Sequence, residues 1–394
     1  MRLFRRHSAT LVLLSSAVVL SLAAGCATTD ASDSAPARTP TTPLPSANPA
    51  LSGTITIGAV LPLTGANATV GKDQQRGIEL AVAKINAGSG VLGRKLAVAV
   101  EDSQGQATAT IDAARKLVAV TKVPVVIGEY ASGNTIPMQQ FLQQSSVVGI
   151  NVGSSSIELR GTGAMQFSTI GLDDKAGEFS ANALYDKGFR KVAMLAPNNA
   201  YGSGIARSVA DAFTGKGGQV VASELYTEGQ PNYRQELARL ANADPDVYVV
   251  TTYGRDGATI NAEMFELAMT SKPVFDIYLS QDVPDSDAKA VEGRIGMDVT
   301  SSVGGSEYAA YYRRTYGEGF MTSFSGFAYD AVFLAALAVE KAGAPDADKV
   351  AAAIPEVAVS YQGVTGALAV GPDGQRLAQP YTLGTVRAGR IDFS

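Results

Sequence analysis

The stretch TITIGAVLPLTGANATVGKDQQRGIELAVAKINA, Thr54–Ala87, decides the fold. Its first ten residues, Thr54–Leu63, form a short apolar run that predicts a strand. Gly71–Ala87 then carries Ile78, Ala81, Val82 and Ile85 at helical spacing, which predicts a helix. The alternation continues. Strands are expected at KLAVAVEDS (Lys95–Ser103), VPVVIGEY (Val123–Tyr130) and SVVGINV (Ser146–Val152), with helices at TATIDAARKLVAV (Thr108–Val120) and NTIPMQQFLQQ (Asn134–Gln144) between them. This βαβαβαβ order is that of a parallel sheet covered by helices on both faces.

The pattern restarts at KAGEFSANALYDKG, Lys175–Gly188, and runs through four more strands to VFDIYLS, Val274–Ser280. Two successive series predict two similar α/β lobes, each doubly wound and Rossmann-like. The tail adds helices at Glu307–Tyr316, Gly326–Ala342 and Asp346–Ala353. A hairpin is expected within Gly366–Gly389, turning at Gly371-Pro372-Asp373-Gly374.

The N-terminus reads as an address. MRLFRRHSAT is basic, and Leu11–Ala24 is apolar but, at 14 residues, too short for an ordinary membrane span. Small residues follow, in the order of a secretory signal. Ala23-Ala24-Gly25-Cys26 resembles a bacterial lipobox, which implies cleavage before Cys26 and lipid attachment to its thiol. Ala27–Gly53 is rich in Pro, Ser, Thr and Ala, so residues 26–53 are expected to form a disordered tether. The protein would then sit outside the cell membrane, attached by its lipid.

Composition excludes several functions. The 394 residues carry a formal charge of −5, or −8 once Arg2, Arg5 and Arg6 are removed, so nucleic acid is a poor partner. The single His is His7 and the single Cys is Cys26. A chain cleaved at Cys26 has no His, which removes Ser–His–Asp and Cys–His catalysis and His-based metal sites. No metal and no cofactor are expected, and no enzymatic activity. An enzyme built on a carboxylate pair, Asp173 and Asp282, remains the remote alternative.

ITIGAVLPLTGANATVGKDQQRGIELAVAKINAGSGVLGRKLAVAVEDSQG, Ile55–Gly105, resembles the N-terminal lobe of the periplasmic branched-chain amino-acid-binding proteins. These are the type I solute-binding proteins of ABC importers. The likeness continues through VIGEYASGNT, GLDDKAG, APNNAYGSGIARS and GFAYDAVFLAALAVEKAG. It implies two lobes joined by a three-strand hinge, with a ligand enclosed between them. On that pattern lobe 1 comprises residues 54–172 and 301–358, and lobe 2 comprises residues 173–300 and 359–394. The implied partners are a small amino acid-like ligand and an ABC permease in the membrane, with the receptor itself a monomer.

Ligands of open α/β sheets sit beyond the carboxyl ends of strands. In GEYASGNT, Ser132 and Gly133 precede a helix whose N-terminus suits an anion, and Ser132 also suits a helix cap. In NVGSSS the serines suit a loop, a nucleophile or an anion cradle, and without a His the nucleophile has no base. The resemblance places Ser154 and Ser155 at the ligand α-carboxylate, where neutral hydroxyls can bind it by charge-assisted hydrogen bonds. It places Asp173 of GLDDKAG, and less directly Asp282 of LSQDV, near the ligand amine. Either Asp of GLDDKAG also suits a helix cap. Tyr201 and Tyr253 match cleft aromatics. Val70 stands where the leucine-binding branch has an aromatic, and Gln104 and Ala131 where the family has a disulfide. A branched-chain or other apolar amino acid is the expected ligand, with an amide, urea or aromatic carboxylate as the alternative. A signalling sensor without a permease is the other role this sequence allows.

Overall fold

A computed structural model describes residues 44–299 and 306–393 of the protein. Cys26 and the signal-like segment lie outside the described residues. Five strands build the first sheet: β1 (Thr54–Leu61), β2 (Lys95–Asp102), β3 (Val125–Gly128), β4 (Val148–Asn151) and β5 (Gln166–Ser168). Their order is β2-β1-β3-β4-β5, all parallel. Helices α1 (Ala68–Ala87), α2 (Ala107–Lys116) and α3 (Ser132–Gln144) connect them. β3 and β4 are buried along their whole length, as strands covered on both faces must be.

The second series gives α4 (Asp173–Asp186), β6 (Lys191–Pro197), α5 (Ala200–Gly215), β7 (Gln219–Tyr226), α6 (Arg234–Asn242), β8 (Val247–Val250), α7 (Gly254–Glu266), β9 (Val274–Ile277), the short α8 (Ala288–Val291) and β10 (Ile295–Val299). Helices α9 (Glu307–Tyr316), α10 (Ser325–Ala342) and α11 (Ala347–Ala358) follow, then the two-residue strands β11 (Gln362–Gly363) and β12 (Gly366–Ala367), and finally β13 (Tyr381–Arg387) and β14 (Arg390–Phe393). The second sheet has the order β14-β13-β10-β9-β8-β6-β7.

Helix α10 returns to the first lobe and lies on α1. A Cβ at Gly77 would stand 2.1 Å from the Ser325 carbonyl oxygen, so glycine permits this crossing. Asp73 fastens the same junction. Its carboxylate accepts from Tyr312 Oη at 2.6 Å, from Thr322 Oγ1 at 2.7 Å, and from the N–H groups of Thr322 and Ser325.

Three expectations are corrected. Residues 361–376 do not leave with the second lobe at residue 359. Asp330 on α10 accepts from Tyr361 Oη and from the N–H groups of Val364 and Thr365, and Arg376 donates to Thr169 O at 2.8 Å. These bonds keep the segment on the first sheet, and the chain joins the second at Tyr381. The turn at Gly371–Gly374 forms, with Gly371 N–H on Gln375 O and Leu377 N–H on Ala369 O, and Val370 pairs antiparallel with Arg376 across it, so the hairpin is present but shorter than expected. β13 pairs with β10 and β14, and β14 forms the edge of the sheet. Finally, the end of the expected tether is docked. Asn48 caps the C-terminal carbonyls of α1, its N–H on Asn86 O at 2.7 Å and its Nδ2 on Gly88 O at 3.0 Å.

Candidate functional site

The carboxyl ends of β3 and β4 carry the serine cluster. Asn151, at the end of β4, shapes the turn after it. Its Oδ1 accepts from Gly153 N–H at 3.1 Å and Ser154 N–H at 2.8 Å, and its Nδ2 donates to Ser154 O and Ser168 Oγ. Such local bonding is what an Asn offers a turn. Ser154 Oγ donates to Tyr130 O at 3.0 Å and lies against Thr135 Oγ1. Its one hydrogen is therefore engaged inside the lobe. Ser132 is the first residue of α3 rather than its cap, which is Ala131. Its Oγ accepts from Ser156 N–H at 3.4 Å, so α3 and the serine turn are joined. The structure thus gathers Ser132, Ser154 and Ser155, all buried. Gly133 stands apart, exposed, with open space where a side chain would be.

The second lobe faces this cluster with acids and tyrosines. Asp173 N–H donates to Ser155 O at 2.8 Å, which ties α4 to the serine turn. Asp173 is the first residue of α4 and makes no capping bond. Its carboxylate is fully buried, and neither oxygen has a hydrogen-bond partner. Burial pushes its pKa up to about 7; the Ser155 hydroxyl beside it opposes the shift, without bonding at normal geometry, and Asp174 adds to it. Asp282 differs. Its Oδ2 accepts from Thr252 Oγ1 at 2.6 Å and Asn261 Nδ2 at 3.0 Å, so its own lobe satisfies it. The two acids expected near the ligand amine are therefore in unlike states.

Tyr201 and Tyr253 stack, with ring centroids 5.5 Å apart, and belong to a closed circuit of aromatics. Tyr253 meets Tyr130 at 5.5 Å, Tyr130 meets Phe324 at 5.2 Å, Phe324 meets Tyr278 at 6.5 Å, and Tyr278 meets Tyr201 at 6.5 Å. Tyr130 and Phe324 come from the first lobe, the other three from the second. Tyr201 Oη shares a 2.5 Å bond with Thr251 Oγ1 and lies 3.5 Å from Gln281 Oε1. Tyr130, Tyr278 and Phe324 were not among the expected site residues. Tyr130 had a signal in sequence, two positions before Ser132. Phe324 had none, because it reaches the site only through the return of α10.

The lobes touch around this circuit. Thr69 Oγ1 donates to Asp285 Oδ1 at 2.6 Å, Arg255 N–H to Ala66 O at 3.3 Å, and Ser156 Oγ to Ala200 O at 3.5 Å. Gly254 (φ +29°) permits the second contact, since a Cβ there would lie 2.3 Å from Ala66 O. The lobes therefore stand closed. The enclosed surface offers hydroxyls, one unpartnered carboxylate and aromatic faces. That set can hold a small molecule with a cationic and an apolar part. Among the described residues no three His, Cys, Asp or Glu side chains gather as a metal cluster, and no helix is long and apolar enough to cross a membrane.

Comparison with known proteins agrees with this architecture. The chain is 26% identical over 309 residues to the Leu/Ile/Val-binding protein homolog 1 of Brucella suis, covering 77% of this chain and 82% of that one. It is 26% identical over 343 residues to the Leu/Ile/Val-binding protein BraC3 of Rhizobium johnstonii, covering 86% and 93%. Among solved structures, the substrate-binding protein LivJ of Streptococcus pneumoniae, in complex with isoleucine, superposes with a TM-score of 0.79 at 24% identity, over 86% of this chain and 98% of that one. A solute-binding protein of R. palustris in complex with benzoate superposes with a TM-score of 0.78 at 20% identity, over 86% and 95%. The model of the periplasmic binding proteins matches residues 54–390, and with that match over most of its length the chain belongs to the periplasmic binding protein family.

Proposed function

We propose that this protein is the extracytoplasmic, lipid-anchored receptor of an ABC importer, which captures an amino acid by lobe closure and presents it to a membrane permease. The observation that carries the reading is the Asp173 carboxylate, fully buried and unpartnered beside the Ser155 hydroxyl. A buried charge without a partner is costly, and an ammonium group from a ligand would complete it. Ser132, Ser155 and the start of α3 would take the ligand carboxylate. Ser154 would shape the cradle rather than donate. The aromatic circuit would enclose the side chain, branched-chain or otherwise. Cys26 would carry the lipid.

A second reading is an aromatic carboxylate receptor. The aromatic circuit favours it, and the benzoate-bound relative shares the fold. The two differ at Asp173, since benzoate brings no cation. A thermal-shift screen over amino acids, amides and aromatic acids tests both, because a ligand that binds only the folded state raises Tm. Amino acids should raise Tm by several degrees. A shift with benzoate and none with any amino acid would sink the first reading.

A further inference from the structure

Among the buried tyrosines, Tyr130 is set apart by its hydroxyl. It is 1% exposed, and its Oη has no hydrogen-bond partner. Tyr233, Tyr278 and Tyr308 also lack bonds of normal geometry, yet each hydroxyl has a polar side chain beside it: Asp256, Tyr381 and Ser325 respectively. Tyr130 has no such neighbour. Its interactions are with the rings of Tyr253 and Phe324, with the Tyr201 phenol, and with the more distant charges of Asp282, Glu129 and Asp298, none of which is bonded to its hydroxyl. Phenylalanine would pack here equally well and leave no buried hydroxyl unsatisfied. The ring also stands at the serine turn, where a Cβ on Gly153 would come within 2.8 Å of Tyr130 Cδ2. The ring thus stands between the serine turn and Tyr253 of the second lobe, beside the space that a ligand side chain would enter.

We propose that Tyr130 reads a neutral hydrogen-bonding group on the ligand side chain, a carboxamide or a hydroxyl, so that the preferred ligand is a neutral polar amino acid. This rests on the amino-acid reading above. A wholly apolar side chain would leave the Tyr130 hydroxyl buried and unmet. A carboxylate there would face the field of Asp282, Glu129 and Asp298. A site built to bond a polar group rejects the analogue that lacks it far more strongly than an apolar pocket rejects an extra methylene.

Calorimetric titration of the full chain with glutamine, threonine, glutamate and leucine tests this, on the natural protein and on Tyr130→Phe. Glutamine or threonine should bind at least about tenfold tighter than leucine or glutamate. Tyr130→Phe should remove that preference, with leucine affinity held or raised. An equal loss for all ligands in Tyr130→Phe, or leucine preferred by the natural protein, would overturn the proposal. Tyr130→Leu is the second arm: it should favour leucine, and an unchanged ranking would count against the proposal. Binding of no amino acid at all would overturn the amino-acid reading itself, an outcome distinct from either.

Discussion

Two parts of the cleft, the serine turn and Asp173, handle polar groups in opposite ways. On the first lobe, Asn151 makes four bonds to the serine turn and Ser168, and Ser154 is bonded within the lobe. On the second, Asp173 is buried and neither carboxylate oxygen is bonded. A satisfied network is rigid and pre-shaped, whereas an unsatisfied one waits for a partner. The serine turn should therefore govern stability, and Asp173 affinity. Asp173→Asn breaks the comparison most sharply. Losing a buried charge pair costs about 2–5 kcal/mol of binding, so affinity should fall at least about 30-fold. The unliganded protein should keep or raise its Tm, because no bond is lost and an unpaired charge is removed. A clear fall in the unliganded Tm with affinity unchanged would show that Asp173 is structural.

Asn151→Ala should give the reverse. Four bonds disappear from a buried turn, and at about 1 kcal/mol each, with partial relaxation, stability should drop by about 2–4 kcal/mol. Denaturant unfolding reads this directly through its midpoint. Binding should weaken only as the turn loosens.

Proton titration sharpens the same contrast. Asp173 holds its proton up to about 7, and an ammonium ligand needs it ionised. Affinity should fall about tenfold per unit as pH drops below 7. An aromatic carboxylate would show the opposite slope. The sign for folding is also opposite to that for binding. Glu129 is raised to about 7 as well, chiefly by burial. The native state keeps protons that the unfolded chain releases above about 4, so the unliganded protein is favoured at low pH and loses stability as pH rises through about 7. Thermal scans from pH 5 to 8, with and without ligand, would separate the two trends.

Much of the fold was legible because its periodicities are local. Ile78, Ala81, Val82 and Ile85 announce α1, and the α9 span read from sequence, Glu307–Tyr316, coincides with the helix observed. What failed depended on long-range bonds. The Asp330 contacts that hold residues 361–376 on the first sheet leave no pattern in those residues. β5, three residues long, is too short to announce itself, and the pairing of β10 with β13 spans too much chain to read locally. Of the residues proposed for the site, Ser132, Ser154 and Ser155 come together, Asp173 lies against Ser155, Tyr201 stacks on Tyr253, Asp282 is bonded within the second lobe and Gly133 stands apart. Their chemical states did not read through. The sequence cannot say that Ser154 is engaged, that Asp282 is satisfied or that Asp173 is not, because these follow from burial and partners. Tyr130 was passed over for the same reason: a tyrosine matters here through what its hydroxyl lacks.

The smallest expected effect lies at the rim, where the lobes meet. Thr69 donates to Asp285 across the lobes, and burial raises the Asp285 pKa against the opposing bond from Thr69. Thr69→Val keeps the side-chain volume and removes only the donor. Both groups regain water when the lobes open, so the bond counts toward closure and not toward the folding of either lobe. One hydrogen bond to a carboxylate is worth about 1 kcal/mol net in such a place. Ligand affinity should fall about fivefold, chiefly through faster release, since affinity changes among variants of one site are mostly in off-rate. The unliganded Tm should stay within about a degree. If release is unchanged while Tm falls, the contact belongs to the permanent packing of the molecule, and the rim is not where closure is held.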